Sequence, residues 1–132
     1  MAIRIPLASL EGTVSVNVSI EGLIGWAYVY KTPELDDTDP RAQIPDAAKR
    51  TFDLGPAASL AGQTHIWSVA ATGLTDDEAA GKAVFTWRQT VGGRTVDLRS
   101  YTEPLSIPEG GGSVERDGAG RFFAPRPATL TS

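Results

Sequence analysis

The chain has 132 residues, 41% apolar and 21% charged, with a net charge of −4. That is enough for one domain with a real core, and the composition is that of a folded protein rather than a disordered one. The absence of cysteine excludes disulfides, thiolate metal sites and cysteine nucleophiles, and the acidic balance, with basic residues scattered and never in a run, argues against a nucleic-acid partner.

The opening stretch, MAIRIPLASLEG, has no long apolar segment and no cleavage site, so a signal peptide is not expected. No stretch is long and apolar enough to span a membrane as a helix, and no membrane partner is expected. The expectation is synthesis in the cytoplasm, with incorporation into a virion or other particle as one fate.

Residues 2–8 alternate, Ile3, Ile5 and Leu7 against Arg4 and Pro6, and the proline marks an edge strand. After Glu11-Gly12, the apolar set Val14, Val16, Val18 and Ile20 alternates with Thr13, Ser15, Asn17 and Ser19, the pattern of a strand with one buried face. Glu21-Gly22 and Gly25 turn the chain into a strand over residues 26–31, on which Trp26, Tyr28 and Tyr30 share a face. Residues 32–45 hold three prolines and the acids Glu34, Asp36, Asp37 and Asp39, the composition of an exposed loop, and residues 46–50 fit one helical turn.

Phe52 and Leu54 indicate a short strand, and residues 55–62 a compact connection. Residues 63–72 read as a strand, with His65, Trp67, Val69 and Ala71 on one face. Thr75-Asp-Asp-Glu78 has the capping-box form and Gly81 supplies a stop, which predicts one further helical turn. The strongest local signal follows: two runs rich in β-branched and aromatic residues flank Gly92-Gly93, a hairpin turn. The register it implies sets Arg88 opposite Asp97, Thr90 opposite Thr95, Gln89 opposite Val96, Trp87 opposite Leu98 and Val84 opposite Tyr101.

Beyond Pro108 the composition changes to Gly, Pro, Ser and Arg around the single pair Phe122-Phe123. The organisation expected is a β-sandwich over 1–108 and a Gly/Pro-rich arm over 109–132. The class is all-β, a single antiparallel β-sandwich of about seven strands, with a small β-barrel as the alternative. A Trp-bearing strand before a long loop, then a strand, a one-turn corner and a final hairpin resembles the immunoglobulin outline, without its Cys-Trp-Cys framework.

No cofactor is expected, because no motif for one is present. The acids at 34–39 and 76–78 lack the spacing of a calcium loop. His65, the single histidine, has no nucleophile or orienting acid assignable from sequence, and one histidine is too few for a usual transition-metal site. The row Trp26, Tyr28 and Tyr30 could form a platform for stacking sugars, although one Asn and three Gln are few for a lectin and core packing accounts for such a row equally well. The segment Arg121-Phe122-Phe123-Ala124-Pro125-Arg126 places two aromatics between arginines and prolines in a stretch unable to build its own core, which suggests a docking segment, with folding back over its own domain as the counter-reading. The function expected is that of a non-enzymatic structural or adaptor subunit, a phage-like capsid or tail component in its concrete form, with protein partners or self-association. A carbohydrate-binding module using the aromatic row is the alternative, and a small enzyme of unknown reaction the second.

Overall fold

A computed structural model describes residues 2–30, 41–44, 49–73 and 77–125. Among them are nine strands and one short helix: β1 (Ala2–Pro6), β2 (Thr13–Glu21), β3 (Ile24–Tyr30), β4 (Arg41–Ile44), β5 (Lys49–Pro56), α1 (Ala57–Leu60), β6 (Thr64–Thr72), β7 (Ala79–Val91), β8 (Arg94–Ile107) and β9 (Ser113–Phe123). They make two sheets, ordered β1-β9-β6-β3-β4 and β5-β2-β7-β8. Only β1 and β9 run parallel; every other ladder is antiparallel. The chain is an all-β sandwich. Its connectivity is its own: the hairpin β7–β8 stays in the sheet of β2, and β9 crosses back to lie between β1 and β6.

The core follows from period-two alternation. Val14, Val16, Val18 and Ile20 of β2 are each at most 1% exposed. The other sheet sends in His65, Trp67, Val69 and Ala71 from β6, and β7 adds Ala83, Phe85 and Trp87. The rings pack as a group, Trp67 against Phe85 at 4.5 Å between centroids and Phe85 stacked on Trp87 at 5.6 Å. Truncating a buried ring of this size to alanine costs roughly 3–5 kcal/mol, so this cluster carries much of the stability.

The expected arm over 109–132 is overturned through residue 123. Residues 113–123 are β9, an inner strand paired on both sides, and the domain continues through it rather than ending at 108. The glycines that suggested a linker have a packing role. Gly118 pairs with Trp67 and Gly120 with His65. A Cβ on Gly118 would lie 2.2 Å from Trp67 Cζ2, and one on Gly120 would lie 2.7 Å from both His65 Nε2 and Ile5 Cδ1. The missing side chains are the space the rings occupy.

Two expected helical turns are also corrected. Lys49 and Arg50 open β5, and Ala79–Gly81 open β7; the remainder of both stretches, apart from Asp77 and Glu78, which precede β7, lies outside the described residues. Pairing with β2 and β8 outweighs the local capping signal. Gly81, expected as a helix stop, lets the end of β2 approach, since a Cβ there would sit 2.3 Å from the Glu21 carbonyl.

The hairpin turn is as expected, with Gly92 and Gly93 both at positive φ, 59° and 81°. Its register holds for Thr90–Thr95, Gln89–Val96 and Arg88–Asp97, then shifts between Trp87 and Arg88, so that Trp87 faces Arg99 and Phe85 faces Tyr101. Leu98 is the extra residue of a β-bulge. One inserted residue exchanges the two faces of a strand. Without it Ser100 and Thr102 would point into the core; with it Leu105 and Ile107 do, at 1% and 0% exposure.

Gly118→Ala should destabilise the protein by about 2–3 kcal/mol, because the Trp67 ring is held on all sides and cannot retreat. Urea unfolding checks this, and the same change in a Trp67→Leu background should cost less than about 1 kcal/mol. Equal costs in the two backgrounds would show that the ring is not what Gly118 accommodates.

Candidate functional site

The proposed docking segment is largely interior. Phe122 is fully buried, its ring centroid 5.3 Å from that of His65. Its amide donates to the Gln63 carbonyl at 3.0 Å and its carbonyl accepts from Gly62 at 2.8 Å. Phe123 is half-buried, with the Arg4 guanidinium 3.8 Å above its ring and that of Arg121 at 5.7 Å. Arg121 is exposed and Pro125 half-buried, while Arg126 lies outside the described residues. The segment folds back over its own domain, because alternation along β9 sends Phe122 inward and Arg121 outward.

For the aromatic row, the backbone of β3 sets position 26 beside Ala70, 28 beside Ser68 and 30 beside Ile66, the residues of β6 that alternate with its core-facing row. The side chains of Trp26, Tyr28 and Tyr30 lie outside the described residues.

His65 is 2% exposed. Trp87 Nε1 donates to its Nε2 at 2.9 Å, so in the neutral ring the proton sits on Nδ1, which has no hydrogen-bond partner among the described residues; neither has Trp67 Nε1. Burial lowers the imidazole pKa from 6.5 to about 4. The acids that a hydrolytic arrangement would require are engaged elsewhere. Asp97 Oδ1 accepts from Arg88 Nε at 2.9 Å, and Glu103 Oε1 accepts from the Tyr101 hydroxyl at 2.6 Å. That hydrogen bond, helped by burial and the carboxylate charge, raises the Tyr101 pKa. Among the described residues no three His, Cys, Asp or Glu side chains form a group that could hold a metal ion, and no helix is long and apolar enough to cross a membrane.

The constellation that sequence reading missed centres on Gln89, which is fully buried on β7. Its Nε2 donates to the Glu11 carbonyl at 2.7 Å, the Ser9 carbonyl at 3.0 Å and Ser9 Oγ at 3.2 Å; its Oε1 accepts from the Ala8 amide at 2.9 Å. One amide side chain thus clamps the loop between β1 and β2 against the hairpin. The clamp fixes a surface on which Leu10 is 50% and Val96 41% exposed, beside a cleft of about 350 Å³ lined by Ala8, Gln89, Val91, Arg94 and Val96. Large apolar side chains held out in water by a buried hydrogen-bonding group form a preformed contact surface. The one signal available in advance was a glutamine on the apolar face of a strand.

The fold and this surface define a β-sandwich with an ordered apolar platform at one hairpin tip. No protein-family model, curated protein or solved structure matches the chain.

The histidine gives a pH test. The folded-state pKa lies below the unfolded one, so below pH 6.5 the unfolded chain takes up a proton that the folded chain refuses until about pH 4. Stability from this group is therefore whole above pH 6.5 and falls as the pH drops towards 4, by an amount on the order of 3 kcal/mol. In His65→Gln, which keeps an acceptor for Trp87 and removes the titration, the fall between those pH values should be shallower by that amount in chemical denaturation. Parallel curves for the two proteins would contradict it.

Proposed function

We propose that this protein is a non-enzymatic structural or adaptor subunit that works through protein–protein contact, a capsid or tail component of a phage-like particle being its concrete form. The supporting observation is the platform at the hairpin tip. Gln89 holds residues 8–11 against β7, so Leu10 and Val96 are presented without further ordering on binding. The distal half of β8 adds to it: Arg94–Asp97, Arg99 and Ser100 are exposed and Leu98 is half-buried. This half reaches past the layer that covers the rest of the strand, as a contact element would. The docking function first assigned to residues 121–126 moves in this reading to the loop and hairpin.

Sedimentation velocity over a wide concentration range tests it. The wild-type protein should sediment faster as concentration rises, and Leu10→Asp combined with Val96→Asp should remain a monomer with an unchanged melting temperature, since both side chains are already in water. Identical stable monomers in both cases would remove self-assembly, and the adaptor form would then need a different protein as partner.

The register of β3 favours a second reading, a carbohydrate-binding module, because positions 26, 28 and 30 alternate with the core-facing positions of the sheet. In that case a glycan screen should return a saturable ligand whose binding Trp26→Ala abolishes. No hit at millimolar glycan would remove this reading.

A further inference from the structure

A second feature lies on the opposite side of the bulge from the platform. β1 is an edge strand of one sheet and β8 an edge strand of the other, and the two edges pack against each other. Between them is a cleft of about 410 Å³ lined by Ala2, Ile3, Arg4, Arg99 and Tyr101. That volume falls within the range of roughly 300–1,000 Å³ usual for small-molecule sites. We infer that this cleft binds a small organic anion, a carboxylate carried on an apolar body.

The charge argument comes first. The ion pairs among the described residues are Lys82–Glu21, Arg88–Asp97 and Arg116–Glu103. None involves Arg4 or Arg99, although the chain carries an excess of acids and a net charge of −4. Two guanidiniums share one cleft without a carboxylate, and their mutual repulsion is relieved by an anion placed between them. Arg4 is also preordered: its guanidinium rests 3.8 Å from the Phe123 ring centroid, a cation–π contact that limits its rotamers. A planar fork held in place is suited to a carboxylate, which it meets with two parallel hydrogen bonds.

The walls determine the rest of the ligand. Ala2, Ile3 and the Tyr101 ring are apolar, and the Tyr101 hydroxyl is occupied by Glu103 at 2.6 Å. Glu103, the nearest acid to the cleft along β8, has its other oxygen 3.9 Å from Arg116 Nε. Its charge is thereby countered, which leaves the arginines to dominate the field at the mouth. An inorganic anion would satisfy the guanidiniums and leave these walls wet; a carboxylate with an aromatic or aliphatic body covers them. The bulge at Leu98 creates the arrangement, since it brings Arg99 and Tyr101 to the same side of β8 as its core-facing residues.

Titration of the isotopically labelled full-length protein, followed by amide chemical shifts, tests the inference with three probes: phenylacetate, its neutral counterpart phenylacetamide, and acetate. Phenylacetate should give saturable shifts centred on residues 2–4 and 99–101, and each of the other two should bind at least about tenfold more weakly, having lost the charge or the apolar body. Arg4→Gln combined with Arg99→Gln should weaken phenylacetate by at least about tenfold with the melting temperature unchanged, because both side chains are exposed and outside the ion pairs. Absence of saturable shifts, equal binding of the amide, or an unaffected double variant would each overturn it. The result is independent of oligomeric state, so a monomer that binds phenylacetate would sustain the site while removing self-assembly.

Discussion

The interior of this protein rests on rings packed over absent side chains. His65 and Trp67 point inward from β6, and the strand beside them carries glycine at both facing positions. With alanine at Gly118 the added carbon would lie within bonding-scale distance of the indole. Each ring can therefore lie across its neighbouring strand and reach the rings of the opposite sheet, which is how Trp67 meets Phe85 and His65 meets Trp87. The two sheets adhere through this contact, so the aromatic cluster and the glycines are one structural unit.

The position of the N-terminal strand follows from the same unit. β1 has one neighbour in its sheet, β9, and joins it in parallel with Ile5 beside Phe122, both fully buried. A strand that enters between β1 and β6 must close over the rings on one side and carry the N-terminal edge on the other. That edge, with Arg4 against Phe123, forms one wall of the cleft facing β8.

Much of this was legible in the sequence. Alternation in β2 and β6, the Gly-Gly turn and three cross-strand pairs beside it follow from local residue order, because the physics that decides them is local. β9 was not legible. Ser113–Phe123 has three apolar side chains longer than alanine, Val114, Phe122 and Phe123, and its glycines mean nothing until the residues of β6 are placed over them. β4 was hidden for a similar reason, inside a stretch whose prolines and acids suggest a loop. The bulge at Leu98 was also beyond local reading: the charge and threonine pairs near the turn satisfy either register, and the choice is made by Leu105 and Ile107, seven and more residues away, which must reach the core. For the candidate sites, residue type was a poor guide. The exposed-looking Phe122 is interior, and the inconspicuous Gln89 organises a surface.

Two buried polar residues illustrate what the fold does with polarity. Gln89 has every side-chain bond directed at one loop, so its burial is compensated and its effect is to make that loop rigid. His65 has one bond, from Trp87, and an Nδ1 with no partner among the described residues, so its burial is compensated only in part and is tolerable only while the ring is neutral. The first shapes a surface and the second limits the conditions in which the core persists. Between platform and cleft lies the bulge of β8, which together with Pro104 interrupts what would otherwise be a 14-residue edge open to another strand. An edge interrupted in this way resists indiscriminate backbone pairing, and recognition along it falls to side chains: apolar ones before the bulge, cationic ones after it. In the proposed role, that division lets one strand serve a protein contact and an anion without either occupying the place of the other.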